Sequence, residues 1–209
     1  MVVYYIRNIK KEGPVNLLLE IVKNGARHDD NFVLIVSSID DQNYYKLFLS
    51  HGIKILQINR FRIDLIYKII REYKKTHRIS FHSLCTTGLL LSSILPINMQ
   101  RIHSCLIEIG KQGIAMNGRF KGSIINSINN LGFYRMDILV AGSTGVANSI
   151  NTMNASKVRL IYNSISPSIP RQVEGISKEP FVVSASRLSP EKNVIGLVNS
   201  FKRLNLDAL

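Results

Sequence analysis

Phe181-Val182-Val183-Ser184-Ala185-Ser186-Arg187-Leu188-Ser189-Pro190-Glu191-Lys192-Asn193 reads as a buried strand, a tight loop and the opening of a helix. Phe181 to Ala185 is a short apolar run with β-branched residues, the pattern of a buried parallel strand. Ser186 is small enough to let a ligand approach the backbone. Arg187 and Lys192 set two cations around the turn. Asn193 then opens an apolar run at helical spacing: Val194, Leu197, Val198, Phe201 and Leu204. A strand end, two cations and a helix N-terminus make an anion site, because free backbone N–H groups and the helix dipole add to the side-chain charge. The ligand that suits it is a diphosphate.

Outward from this stretch, Pro167, Pro170 and Pro180, with several serines and no apolar period, mark 164–180 as a linker. Before it the chain alternates strands and helices. Strands are expected at Val2 to Ile6, Phe32 to Val36, Ile53 to Ile58, Ile79 to Ser83, Met99 to Ser104, Ile138 to Ala141 and Val158 to Tyr162. Helices are expected at Val15 to Lys23, after Asp40-Asp41, at Phe61 to Lys75, Thr86 to Leu95, Gly118 to Leu131 and Gly145 to Asn151. Tyr44, Tyr45, Leu47 and Phe48 are candidate packing residues of the second helix. Alternation of this kind, with buried apolar strands, implies a doubly wound, mostly parallel Rossmann-like α/β sheet. The expected organisation is a Rossmann-like domain over 1–163, a linker over 164–180, and one βα unit of an incomplete second domain over 181–209.

Ligands of open α/β sheets collect outside the carboxyl ends of the strands. Candidates there are Gly13, which permits close backbone approach after the first strand, His82 and His103, which end the fourth and fifth strands in the same His-Ser pair, and Ser143, which caps the helix after the sixth. No GxGxxG, P-loop, G-x-S-x-G or HExxH pattern occurs.

Ser186-Arg187-Leu188-Ser189-Pro190-Glu191-Lys192-Asn193 resembles the Gly-Arg-Leu-x-x-x-Lys-Asn signature of family 4 glycosyltransferases, which have the GT-B fold. Ser186 stands where the family has glycine. Val158-Arg159-Leu160-Ile161-Tyr162-Asn163-Ser164-Ile165 is similar to the strand that precedes the family's interdomain linker. Asp137-Ile138-Leu139-Val140-Ala141-Gly142-Ser143 resembles its Asp-x-Ile-Val-Ala-x-Ser. The resemblance implies that Arg187 and Lys192 hold the diphosphate of a nucleotide-sugar donor, which serves as co-substrate with no further cofactor and no metal. It implies that His103 lines the catalytic cleft near the transferred sugar, that Gly13 lies on a cleft loop, and that His82 and Ser143 stand near it. The acceptor implied is a cell-envelope polysaccharide, such as lipopolysaccharide, or a lipid-linked saccharide. In this fold the donor sits mostly in a second domain of about 100–150 residues. Only its first βα unit is expected before Leu209, so the reading is of a truncated protein, weakly active or inactive alone.

Bulk properties bound the alternatives. The 209 residues carry a net charge of +13 and are 45% hydrophobic, a folded chain that attracts phosphates, anionic lipid or nucleic acid. The other reading is therefore a non-catalytic basic α/β module that binds an anionic membrane or nucleic acid. Against nucleic acid, no RRM or helix-turn-helix signature is visible, and the basic residues are not interleaved with stacking aromatics. The cations of Phe61 to Lys75 and its flanks form a basic helix surface that could rest on an anionic leaflet. Cys85 and Cys105 have no metal-ligand spacing, which fits a reduced cytosolic setting, free in solution or peripheral on the inner face of the membrane.

Overall fold

The computed structural model describes residues 1–25, 32–59, 62–96, 98–105, 118–150, 152–163, 183–186, 188 and 192–203. The chain divides into two compact units, Met1–Ser166 and Pro167–Leu209. The expected linker, 164–180, lies outside the described residues.

The first unit runs β1 (Val2–Ile9), α1 (Gly13–Gly25), β2 (Phe32–Ile39), α2 (Gln42–Ser50), β3 (Lys54–Gln57), α3 (Ile63–Lys74), β4 (Ser80–Ser83), α4 (Thr86–Ile94), β5 (Gln100–Cys105), α5 (Arg119–Tyr134), β6 (Ile138–Ala141), α6 (Thr144–Ser149), a 3-10 turn (Thr152–Lys157) and β7 (Val158–Leu160). The strands form one seven-stranded sheet in the order β3-β2-β1-β4-β5-β6-β7, with every pairing parallel. This is the doubly wound, Rossmann-like architecture that the alternation implies.

Both faces of the sheet carry apolar rows because strand side chains alternate. On one face Val3, Tyr5, Val33, Ile35 and Phe81 pack with Ile66 and Ile70 of α3 and Leu91 of α4. On the other, Tyr4, Ile6, Leu34 and Val36 pack with Val15, Leu18 and Val22 of α1 and Phe48 of α2. Toward the β6 side, Leu89 of α4, Phe133 of α5 and Val146 of α6 close over Leu139 and Ala141.

The register sets one row across the sheet: Leu56, Ile35, Tyr5, Ser83, His103, Leu139 and Val158. Two polar groups, Ser83 and His103, sit in the middle of this apolar row. They are adjacent and share a 2.8 Å hydrogen bond between Ser83 Oγ and His103 Nδ1, so each provides the partner that burial demands of the other.

Helix α4 lies unusually close to the sheet. A Cβ on Gly88 would come within 2.7 Å of Tyr5 Cδ1 and 2.8 Å of Ser83 Cβ. At the other end of α4, Arg101 of β5 donates from Nε to Ser92 O and from Nη2 to Leu95 O, at 2.8 and 3.1 Å, so a cation binds the helix's last carbonyls.

Two expectations change. Leu47 is exposed and Phe48 alone of its helix is fully buried, because a nine-residue helix offers one narrow stripe to the core. The strand expected over Phe181 to Ala185 is not formed in its described part: 183–186 are neither paired nor buried. A strand needs a neighbour to satisfy its N–H and C=O groups, and among the described residues 183–186 have none. In the second unit α7 (Val194–Arg203) forms as the spacing requires, with none of its residues buried. It follows Asn193, whose φ of 47° is a left-handed conformation that asparagine tolerates.

Gly88→Ala is expected to destabilise the protein by about 1–3 kcal/mol, because neither the Tyr5 ring nor the Ser83 Cβ can retreat from a buried site. Gly13→Ala, where nothing lies within 4 Å of the new methyl, is expected to be neutral or stabilising. Urea unfolding of both variants checks the contrast.

Candidate functional site

The sheet reverses its winding between β1 and β4. The chain leaves β1 toward β2 on one face and leaves β4 toward β5 on the other, which opens a crevice at their carboxyl ends. The β1 lip is held by backbone bonds: Asp40 and Asp41 N–H both donate to Ile9 O at 2.9 Å. Asn8 Nδ2 donates to Asp40 Oδ2 at 3.1 Å. Asp41 caps α2 by accepting from the N–H groups of Asn43 and Tyr44. Lys10 pairs with Glu12 at 2.6 Å, and Gly13 follows as the first, exposed residue of α1.

On the β4 lip, Leu84 N–H donates to Tyr5 O, and Cys85 caps α4 in extended backbone without a side-chain hydrogen bond. Burial pushes the Cys85 thiol up, offset in part by nearby backbone N–H groups. Burial also raises Cys105 to about 12. Among the described residues no group of three His, Cys, Asp or Glu side chains could hold a metal ion.

The two histidines end neighbouring strands, yet they do not form one constellation. The register pairs His82 with Ile102 and Ser83 with His103, so the imidazoles leave opposite faces of the sheet. His82 lies against the Tyr4 ring at 5.3 Å, and its Nε2 shares a 2.8 Å hydrogen bond with Ser104 Oγ. His103 is 6% exposed and turns into the core, bonded to Ser83 and tilted against the Phe133 ring at 5.7 Å. Burial lowers His82 to about 4; burial, with the neighbouring His82 charge, lowers His103 to about 3. Both rings are neutral near pH 7 and act there as hydrogen-bonding groups, not as proton donors. Burial raises the neighbouring Tyr4 hydroxyl to about 12.

Ser143 also has a definite local task. Its Oγ accepts from Val146 N–H at 3.2 Å and caps α6. Beside it, a Cβ on Gly142 would meet the Asn163 amide at 3.1 Å, so Asn163 lies against the loop that ends β6. Arg187 lies outside the described residues. Lys192 is exposed, immediately before Asn193 and α7. The sequence reading missed the Gly88 contact, the Tyr4–His82 pair and the Gly142–Asn163 contact. Its one available signal was Gly88 itself, a glycine early in a helix at the switch point.

No protein-family model matches the sequence, and no curated protein matches it. Solved structures do. Anabaena Alr3699/HepE in complex with UDP and glucose is similar at a TM-score of 0.60 and 12% identity, over 78% of this chain and 44% of that one. The same protein in complex with UDP gives 0.61 at the same identity. UDP-GlcNAc 2-epimerase from Neisseria meningitidis, bound to UDP-GlcNAc, gives 0.52 at 9% identity, over 77% of this chain and 45% of that one. The chain thus spans less than half the length of these proteins, and the likeness is one of fold.

The histidines make stability depend on pH in a defined direction. Because folding lowers both pKa values, the unfolded chain takes up protons first, from about pH 6.5 downward. Stability is therefore complete above that pH and declines as pH falls toward 4 and then 3. Between pH 6.5 and 5 each histidine is expected to contribute a slope approaching about 1.4 kcal/mol per pH unit. Urea titrations across that range should show the loss, and His103→Gln should make it shallower.

Proposed function

We propose that this chain supplies the acceptor-side α/β domain of a glycosyltransferase of the family 4 type. Such an enzyme moves a sugar from a nucleotide-sugar donor to a cell-envelope polysaccharide or lipid-linked acceptor. The observation that carries the reading is the parallel sheet with its β1–β4 crevice, an architecture similar to that of proteins solved with UDP, UDP-glucose or UDP-GlcNAc. The choice of transfer over other nucleotide-sugar chemistry rests on the Arg187 to Asn193 signature and the Val158 to Ile165 stretch.

In this reading Arg187 and Lys192 stabilise the leaving diphosphate as its charge builds in the transition state, where preorganised cations have the largest effect. Gly13 lets the loop after β1 approach the donor without a side chain between them. His103 belongs to the catalytic cleft as a neutral group. Buried and neutral at pH 7, it acts as a positioning group, its bond to Ser83 fixing the carboxyl end of β5 against which the transferred sugar would rest. His82 and Ser143 flank the cleft and keep its walls in place through Ser104 and α6. The reaction resembled retains anomeric configuration and needs no metal.

Calorimetric titration with UDP-glucose, and with a GDP-sugar for comparison, tests the anion site. Arg187→Ala and Lys192→Ala are each expected to weaken binding about tenfold or more, the range of a lost charge-assisted contact to phosphate. Unchanged affinity in both variants would overturn the assignment of these residues.

A further inference from the structure

Helix α5 presents an apolar stripe to solvent. Phe120 is 83% exposed, Ile124 45%, Leu131 75% and Tyr134 63%. With Ser127 between them, these residues recur at alternating steps of four and three, so they share one face along a helix about 24 Å long. The opposite face is occupied: Gly132 and Phe133 are buried, and a Cβ on Gly132 would meet Leu89 Cγ at 2.8 Å. The stripe is therefore the solvent face of the helix, opposite its packed side.

Charge selects what covers it. Helix α5 has no acidic residue, and exposed Lys121 and Arg135 stand near its two ends. Lys157 adds a further cation, 5.2 Å over the Tyr134 ring. Between 98 and 163 the acidic residues of the sequence are Glu108 and Asp137, and the Asp137 carboxylate is engaged by Arg101 N–H at 2.7 Å. A second copy packed antiparallel on the stripe would set Lys121 beside its partner's Arg135 with no carboxylate to offset them. An anionic surface pairs with both.

We propose that α5 docks on an anionic membrane surface. Phe120, Ile124, Leu131 and Tyr134 enter the interface, and Lys121 and Arg135 lie on the head groups. The more basic helix α3 is not the anchor. Its large apolar side chains other than Ile63 are turned inward, and Arg62 and Lys75 are paired with Asp64 and Glu72. This inference does not rest on the glycosyltransferase reading.

The test is co-sedimentation of the full chain with phosphatidylcholine vesicles, with and without about one third phosphatidylglycerol. Binding to the anionic vesicles is expected, and the double variant Phe120→Ser with Leu131→Ser should lower it about tenfold or more. Lys74→Ala with Lys75→Ala should change it far less. The chain has no tryptophan, so Phe120→Trp gives a single reporter whose emission shifts to the blue if the stripe inserts. Thermal melts confirm that these surface variants stay folded. The proposal is overturned by absence of vesicle binding, by equal binding to neutral vesicles, or by binding indifferent to the double variant. Self-association that Leu131→Ser abolishes, without vesicle binding, would equally overturn it and make the stripe an interface between copies.

Discussion

The contact between Gly88 and the Tyr5–Ser83 pair is the constraint on which the first unit turns. A doubly wound sheet must carry helices on both faces, and here α3 and α4 cover the face opposite α1 and α2. The first turn of α4 has to lie directly over β1 and β4 if the central strands are not to be exposed on that face. Only a residue without a Cβ allows the approach found here. The rest follows from the same seating. Leu84 binds the end of β4 to β1, Arg101 secures the far end of α4, and Leu89 provides the surface on which Gly132 of α5 rests. Raising α4 by the width of a methyl group would disturb the cover over the Ser83–His103 pair, and a buried imidazole is costly wherever its partner is lost.

Most of this architecture is legible in the sequence because the signals agree. Buried parallel strands read as short continuous apolar runs, and Phe32 to Val36 or Ile138 to Ala141 admit little else. Asp41 and Ser143 announce their helices as capping residues, and both cap them. The reading is weaker where one signal stands alone. Phe181 to Ala185 has the composition of a strand, yet composition supplies no neighbour with which to pair, and the described part is exposed. Leu47 and Phe48 are both apolar, and helix phase, not hydrophobicity, decides which is buried.

The candidate site is less legible, for a geometric reason. His82-Ser83 and His103-Ser104 look like a matched set on neighbouring strands. A sheet has two faces, and the register between β4 and β5 is what decides whether matched residues meet. Here it places Ser83 beside His103 and sends the two imidazoles to opposite sides. The sequence carries the residue types but not the offset between two strands separated by a helix. Nor does a motif reveal burial, which is what moves both rings so far from ordinary histidine behaviour.

Charge illustrates the same limit from the other direction. The cations crowded on α3 are conspicuous in the sequence, and a helix wheel makes that helix the natural candidate for a lipid surface. Electrostatic attraction alone, however, holds a protein near a surface and is screened over about 8–10 Å at physiological salt. Residence also needs apolar side chains that are free to enter the interface, and on α3 nearly all are committed to Tyr5, Phe81 and Leu91 in the core. On α5 the balance is reversed: fewer cations, but four large apolar or aromatic side chains left outside a packed core. Which helix can partition is settled by what the sheet has already claimed, and that is a property of the folded chain.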